Sequence, residues 1–343
     1  MSGGPGPPTM RDVARSAGVS LKTVSRVVNG ETTVAPDLAA RVRAAVESLN
    51  YRPNIGASML RRNDRRTGTI GVLLEDVSSP FSAAVHRAVE DEARRRGVHV
   101  LVGSLDEDPQ RERELARAFG QRQADGLIIA PTGSDQAYLT AVGEIPVVFV
   151  DRPAEGFAAD RVLATNAAGA GEAVRHLVRR GHRRIAYLGG HVRIATARSR
   201  YQGYLDVLAE SGLESFGAHG LHDPTTAERA VRRLLDGPDP PTAMFTSQHL
   251  ITVGAVRALR RLGRHRDVAL VGFDDFPLAD LLDPAVTVVA QDPGTIGRTA
   301  ARALFERIDG AAGPPREFLV PTRLIVRGSG ELPPSESLVR TPL

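Results

Sequence analysis

From Met10 the apolar residues fall at helical spacing. Met10, Val13, Ala14 and Ala17 occupy i, i+3, i+4 and i+7, with Thr9 placed to cap the helix, Asp12 three residues on, and Gly18 to end it. Ser20 is placed to cap a second run, Leu21–Asn29, whose Val24, Val27 and Val28 share one side and which Asn29-Gly30 stops. A third begins at Pro36, a favoured first-turn residue, and reaches Leu49, turning Leu38, Val42, Ala45, Val46 and Leu49 inward. Two helices joined by a short Gly-containing turn predict a helix-turn-helix, with Ala14 small at the helix approach and Val24 plugging the crossing. Leu21, Lys22, Ser25 and Arg26 then face outward from the second helix, whose N-terminal residues in such a motif reach base edges in the major groove. An ordinary three-helix bundle with a solvated face is the competing reading.

From Thr69 the period changes. Short apolar runs at 69–75, 98–104, 125–130, 146–151, 161–165, 184–188, 242–246, 267–273 and 286–290 read as strands. Between them lie helical segments Phe81–Arg96, Gln110–Arg122, Ala168–Arg180, Arg200–Ser211, Ala227–Leu235, Ile251–Leu262 and Pro293–Asp309. Alternation of this kind predicts an α/β fold with doubly wound parallel sheets. About 260 residues is more than one sheet comfortably holds, so two similar lobes with a cleft are expected, and ligands of such folds bind outside the carboxyl ends of strands. The predicted organisation is a disordered arm over 1–8, a helix-turn-helix domain over 9–53, a hinge helix and linker over 54–67, a two-lobed domain over 68–328, and a disordered tail over 329–343.

Charge sharpens this division. Residues 1–66 carry 11 Lys/Arg against 5 Asp/Glu, whereas 67–343 carry 33 against 35. The positive excess is confined to the head, as expected of a nucleic-acid-binding module on a neutral body. Composition narrows the chemistry. The absence of cysteine excludes disulfides, thiolate nucleophiles, Fe–S clusters and Cys-ligated zinc. Lys22 is the sole lysine and lies in neither a P-loop nor a Schiff-base context. His219-Gly220-Leu221-His222 reads as a surface loop, so no metal and no cofactor are expected. The N-terminal Gly/Pro-rich stretch lacks signal-peptide regions, and no apolar run approaches the ~20 residues of a membrane span. A cytoplasmic, nucleoid-associated protein is expected.

The run Thr9-Met10-Arg11-Asp12-Val13-Ala14-Arg15-Ser16-Ala17-Gly18-Val19-Ser20-Leu21-Lys22-Thr23-Val24-Ser25-Arg26-Val27-Val28-Asn29-Gly30 resembles the headpiece of the lactose/galactose-repressor (LacI/GalR) family. Leu49-Asn50-Tyr51-Arg52-Pro53-Asn54 resembles that family's junction into its hinge, and Phe149-Val150-Asp151-Arg152, Arg200-Tyr201-Gln202-Gly203-Tyr204 and Val271-Gly272-Phe273-Asp274-Asp275 resemble its strand ends and cleft segments. The resemblance covers residues 9–328 and implies a periplasmic-binding-protein-like effector domain, a homodimeric repressor on inverted-repeat operator DNA, and a small effector, a sugar in the first instance. It implies DNA contacts from Thr9, Ser20, Leu21, Lys22, Thr23, Ser25, Arg26, Asn29, Tyr51, Asn54, Ala57 and Leu60, with Arg26 suited to a guanine edge and Leu60 to a minor-groove wedge. It implies effector contacts from Phe81, Asp106, Asp151, Arg152, Arg200, Gln248, Asp274 and Gln291.

This chain departs from the family pattern at several cleft positions. Gln248-His249 stands where Asn-Asp is usual, Thr165-Asn166 where Asp-Asn is usual, and Ser79 for a frequent Asn; the hinge reads Ala57-Ser58-Met59-Leu60. These leave the effector open, a nucleobase or a phosphorylated metabolite being alternatives to a sugar, and leave His249 open between a pH-sensing and a structural role. Phe276 is a further candidate for an apolar face. An enzyme on the same fold is the rival of a different class, but the chain carries no G-x-S-x-G, H-E-x-x-H, P-loop or post-strand G-x-G-x-x-G. A transport binding protein would need an export signal, which the chain as given does not show.

Overall fold

The computed structural model describes residues 8–28, 33–51, 66–133 and 135–335, and the chain divides into one unit over Met1–Thr67 and another over Gly68–Leu343. The expectations at Asn29, Asn54, Ala57 and Leu60, over nearly all of the 1–8 arm and the hinge, and over 336–343 lie outside the described residues.

The head is built from α1 (Met10–Ala17), α2 (Leu21–Val28) and α3 (Pro36–Ser48). Thr9 and Asp12 form a reciprocal capping box, and Gly18, at φ 62, ends α1 in the left-handed conformation. Arg41 of α3 donates to the Ala17 carbonyl at 2.6 Å, pinning the turn from below. Val13, Ala17, Val24, Val42, Ala45 and Tyr51 are the buried core.

The body's first lobe holds β1 (Thr69–Leu74), α4 (Pro80–Arg95), β2 (His99–Ser104), α5 (Pro109–Gln121), β3 (Leu127–Ile129), β4 (Val147–Val150) and β5 (Asp160–Ala164). The second follows with α6 (Asn166–Arg179), β6 (Ile185–Leu188), α7 (Ala195–Glu210), β7 (Phe216–Ala218), α8 (Pro224–Leu235), β8 (Ala243–Thr246), α9 (His249–Arg261), β9 (Ala269–Phe273) and β10 (Thr287–Ala290). The chain then returns to the first lobe for α10 (Pro293–Ile308) and β11 (Glu317–Val320), and adds β12 (Arg323–Ile325) to the second sheet. The sheets run β11-β5-β4-β3-β1-β2 and β12-β10-β9-β8-β6-β7, parallel throughout except for the β10–β12 pair. The repeated order puts β1 and β3, and likewise β6 and β8, side by side at the switch point where such sheets open for ligands. Strands such as β1 and β9 are continuous apolar runs because helices cover both faces.

Helices lie close where residues are small. A Cβ at Gly203 of α7 would overlap the Ala167 carbonyl of α6, so only glycine permits this approach. The sequence pattern missed β7, β11 and β12, which are three or four residues long and sit at or beside sheet edges, where alternation is too brief to read. It also started α7 late: the helix begins at Ala195, which places Arg200 in its second turn rather than at its start.

Residues 329–335, expected to be a disordered tail, pack along the second lobe instead. Ser329 donates to the Leu270 carbonyl at 2.5 Å and accepts from the Thr287 N–H at 2.9 Å, while His182 donates through Nε2 to the Leu332 carbonyl at 2.9 Å. Buried histidines supply anchors that Pro/Ser-rich composition could not announce.

Candidate functional site

In the head, the outward side of α2 carries Leu21, Lys22, Thr23, Ser25 and Arg26, with Leu21 and Lys22 exposed. The Ser20 hydroxyl accepts from the Thr23 N–H at 3.1 Å and so caps the helix; Arg26 donates to the Thr33 hydroxyl at 2.6 Å. Thr9 is engaged with Asp12 at the start of α1. Tyr51, 8% exposed, belongs to the head core.

In the body, strand ends from both sheets open into one cavity of about 670 Å³. Glu75 and Asp76 follow β1, Asp106 and Glu107 follow β2, Asp151 and Arg152 follow β4, Ser247 and Gln248 follow β8, Asp274 follows β9 and Gln291 follows β10. Phe81 from the first turn of α4 and Arg200 from α7 complete the walls. Phe81, Asp106, Asp151, Arg152, Arg200, Gln248, Asp274 and Gln291 thus line a single cleft. Phe276 does not; it packs on the second lobe's core.

Asp151 and Asp274 occupy equivalent places in the two lobes, at φ 65 and φ 70. Each N–H donates to the neighbouring strand, Asp151 to Val162 at 3.0 Å and Asp274 to Val289 at 2.9 Å. Left-handed backbone at a non-glycine residue costs about 1–3 kcal/mol and is characteristic of functional sites. Here it turns both carboxylates from the strand ends into the cavity.

Arg200 is 6% exposed and is held on the second-lobe side through Nε and Nη1. Its Nε donates to Asn166 Oδ1 at 2.8 Å, its Nη1 to the Ser247 carbonyl at 2.7 Å and to Asp274 Oδ2 at 3.2 Å, and the guanidinium lies 3.8 Å over the Phe273 ring. Gln291 donates to the other oxygen of Asp274 at 2.6 Å. On the first-lobe side Arg152 is clamped by Glu107 through both terminal nitrogens. Sequence reasoning did not single out Glu75, Glu107 or Ser247, and named Asn166 only beside Thr165, the departing half of a usual Asp-Asn pair. Asn166 is buried and orients Arg200, a partner 34 positions away that no local motif signals.

Partial burial in the cleft wall, opposed by Arg152 and reinforced by Glu107, Asp151 and Asp274, pushes the Glu75 carboxyl up to about 7. Burial likewise raises Asp151. Burial holds the imidazole of His249, the first residue of α9, below its ordinary range. Among the described residues no group of three or more His, Asp or Glu side chains is placed to hold a metal ion, and no helix is long and apolar enough to cross a membrane.

Comparison with known proteins covers both units. The profile described as bacterial regulatory proteins, lacI family, matches residues 9–54, and that of the periplasmic binding protein-like domain matches residues 174–330. The ribose operon repressor of Halalkalibacterium halodurans is 32% identical over 321 residues, 93% of this chain and 96% of that protein. Among solved structures, the Lac repressor dimer bound to operator and the anti-inducer ONPF superposes with a TM-score of 0.83 at 27% identity, over 94% of this chain and 99% of that one. The complex of the transcriptional regulator CelR with cellobiose gives a TM-score of 0.68 at 30% identity, over 94% and 99%. With head and body each matched and relatives aligned over nearly the whole length, the chain belongs to the LacI family of DNA-binding bacterial transcription regulators.

Proposed function

We propose that this regulator is a homodimeric repressor acting in the cytoplasm, whose affinity for an inverted-repeat operator is set by a small polyhydroxylated effector, a sugar, bound in the body's cleft. The observation that carries the effector class is the Arg200–Asp274–Gln291 set on the second-lobe wall, facing Asp151 across the cavity. A carboxylate and a guanidinium each engage two adjacent hydroxyls, the pattern a sugar ring offers, and Phe81 supplies an apolar wall. The CelR–cellobiose complex, similar in fold, supports a saccharide. On the DNA side, Lys22 and Arg26 read bases, Thr23 and Ser25 meet phosphates, and the basic head supplies the salt-dependent attraction. Effector binding changes operator affinity by a coupling of about 1–3 kcal/mol.

The test is selection of genomic fragments on the intact protein, followed by anisotropy titration of the selected DNA with and without a panel of pentoses, hexoses and disaccharides. A two-fold symmetric consensus whose affinity shifts about fivefold or more with one sugar is expected. Selected fragments without two-fold symmetry contradict the dimeric reading, and indifference to every saccharide contradicts the effector reading.

A further inference from the structure

The cleft holds more negative charge than its own arginines balance. Glu75, Glu107, Asp151 and Asp274 face Arg152 and Arg200. The pairing is uneven. Glu107 takes both terminal nitrogens of Arg152, and Asp274 takes Arg200. Asp151 reaches only Nε of Arg152, at 3.4 Å and without a hydrogen bond, and Glu75 only Nη2, at 3.8 Å. Two carboxylates therefore share a cation already committed to a third. The other charged groups on the walls do not restore the balance. Asp76 adds a further acid and is turned to Ser78, and Asp106 is paired with Arg111. Arg193, His191 and His222 lie at the exposed rim, and burial disfavours a charge on His249.

We infer that the effector is a polyhydroxylated molecule carrying one protonated amine, an amino sugar, with its ammonium between Glu75 and Asp151. This rests on the sugar reading above and adds the charge. The side-chain geometry leaves these two acceptors without close donors while the polar groups around Arg200 remain suited to hydroxyls. The raised carboxyls of Glu75 and Asp151 agree, since partly desolvated acids without a partner shift in that direction and gain most from an added cation. A phosphorylated sugar would bring like charge to the same wall and is disfavoured.

The experiment is calorimetric titration of the full-length protein near neutral pH and low salt. The probes are D-glucosamine, D-galactosamine and D-mannosamine, each beside its neutral parent and the parent's 6-phosphate. At least one amino sugar binds about tenfold or more tighter than its parent, and the 6-phosphates bind most weakly. The preference shrinks to about threefold or less in Glu75→Gln and in Asp151→Asn, and also with added salt. Glu75 keeps 43% of its side-chain exposure and makes no close ion pair, so its amide variant retains the fold; an unchanged thermal midpoint verifies this. Neutral parents binding as tightly as the amino forms, or a preference that survives both substitutions, overturns the charge inference and leaves the sugar reading standing. Binding by none of these compounds overturns both.

Discussion

Asp274→Asn and Asp274→Ala separate charge from acceptor geometry at the heart of the cleft. The native carboxylate uses one oxygen for Arg200, at 3.2 Å, and the other for Gln291, at 2.6 Å. An asparagine there offers one acceptor and one amide donor. With its oxygen toward Arg200, its amide would confront the Gln291 amide. The buried Gln291 Oε1 has no partner, however, and rotating that amide converts the confrontation into a hydrogen bond. The loss is then the difference between a charge-assisted bond, about 1.5–3 kcal/mol, and a neutral one, about 0.5–1.5 kcal/mol, or about 1–2 kcal/mol. Alanine removes both acceptors. Arg200 keeps Asn166, the Ser247 carbonyl and the Phe273 ring but loses its carboxylate while 6% exposed, and an uncompensated buried charge costs about 3–5 kcal/mol. At about 2–4 °C per kcal/mol for a unit of this size, the body's thermal midpoint falls about 2–8 °C in the asparagine variant and about 6–20 °C in the alanine variant. Scanning calorimetry of the intact protein measures both. Effector titration completes the assay, with affinity about tenfold weaker for asparagine and undetectable for alanine. An alanine variant no less stable than the asparagine variant would refute the argument, since Asp274 would then not be what compensates Arg200.

Further outcomes follow from other contacts. Asp160, fully buried, is held at about 2 because hydrogen bonds from Arg307 and Arg316 outweigh the opposing effect of burial. Its native value lies below that of the unfolded chain, so it contributes about 2 kcal/mol above pH ~4 that is lost as pH falls toward 2; acid titration of stability in Asp160→Asn should lack that component. Gly203→Ala, which helix propensity alone would favour by about 1 kcal/mol, should instead destabilise the second lobe, because the new Cβ overlaps the Ala167 carbonyl; a raised midpoint in thermal melts would count against that close approach. Arg26→Ala should relax discrimination at one symmetric base pair and cost about 1–3 kcal/mol per half-site, measured by competition with single-base operator variants; equal loss on every sequence would make Arg26 a phosphate contact.

Short-range features were legible because their causes lie within a few residues of each other. The capping box joins Thr9 to Asp12, Gly18 stands where a left-handed residue must end α1, and the buried parallel strands are unbroken apolar runs between amphipathic helices. Strand ends, and hence the positions of Asp151, Arg152, Asp274 and Gln291, followed from those runs together with the resemblance. Edge strands such as β7 escaped notice because three residues carry too little alternation to separate strand from loop.

The order of residues thus carries the local grammar: which segments are helix or strand, where the positive charge lies, and which polar residues stand at strand ends. Pairings between distant residues depend on the folded chain. Asn166 orients Arg200, Glu107 occupies Arg152, and His182 anchors the chain at Leu332, across 34, 45 and 150 positions respectively. A buried charge takes whichever partner folding brings within hydrogen-bond reach. That choice sets how much charge the cleft leaves unbalanced, and with it what the cleft can bind.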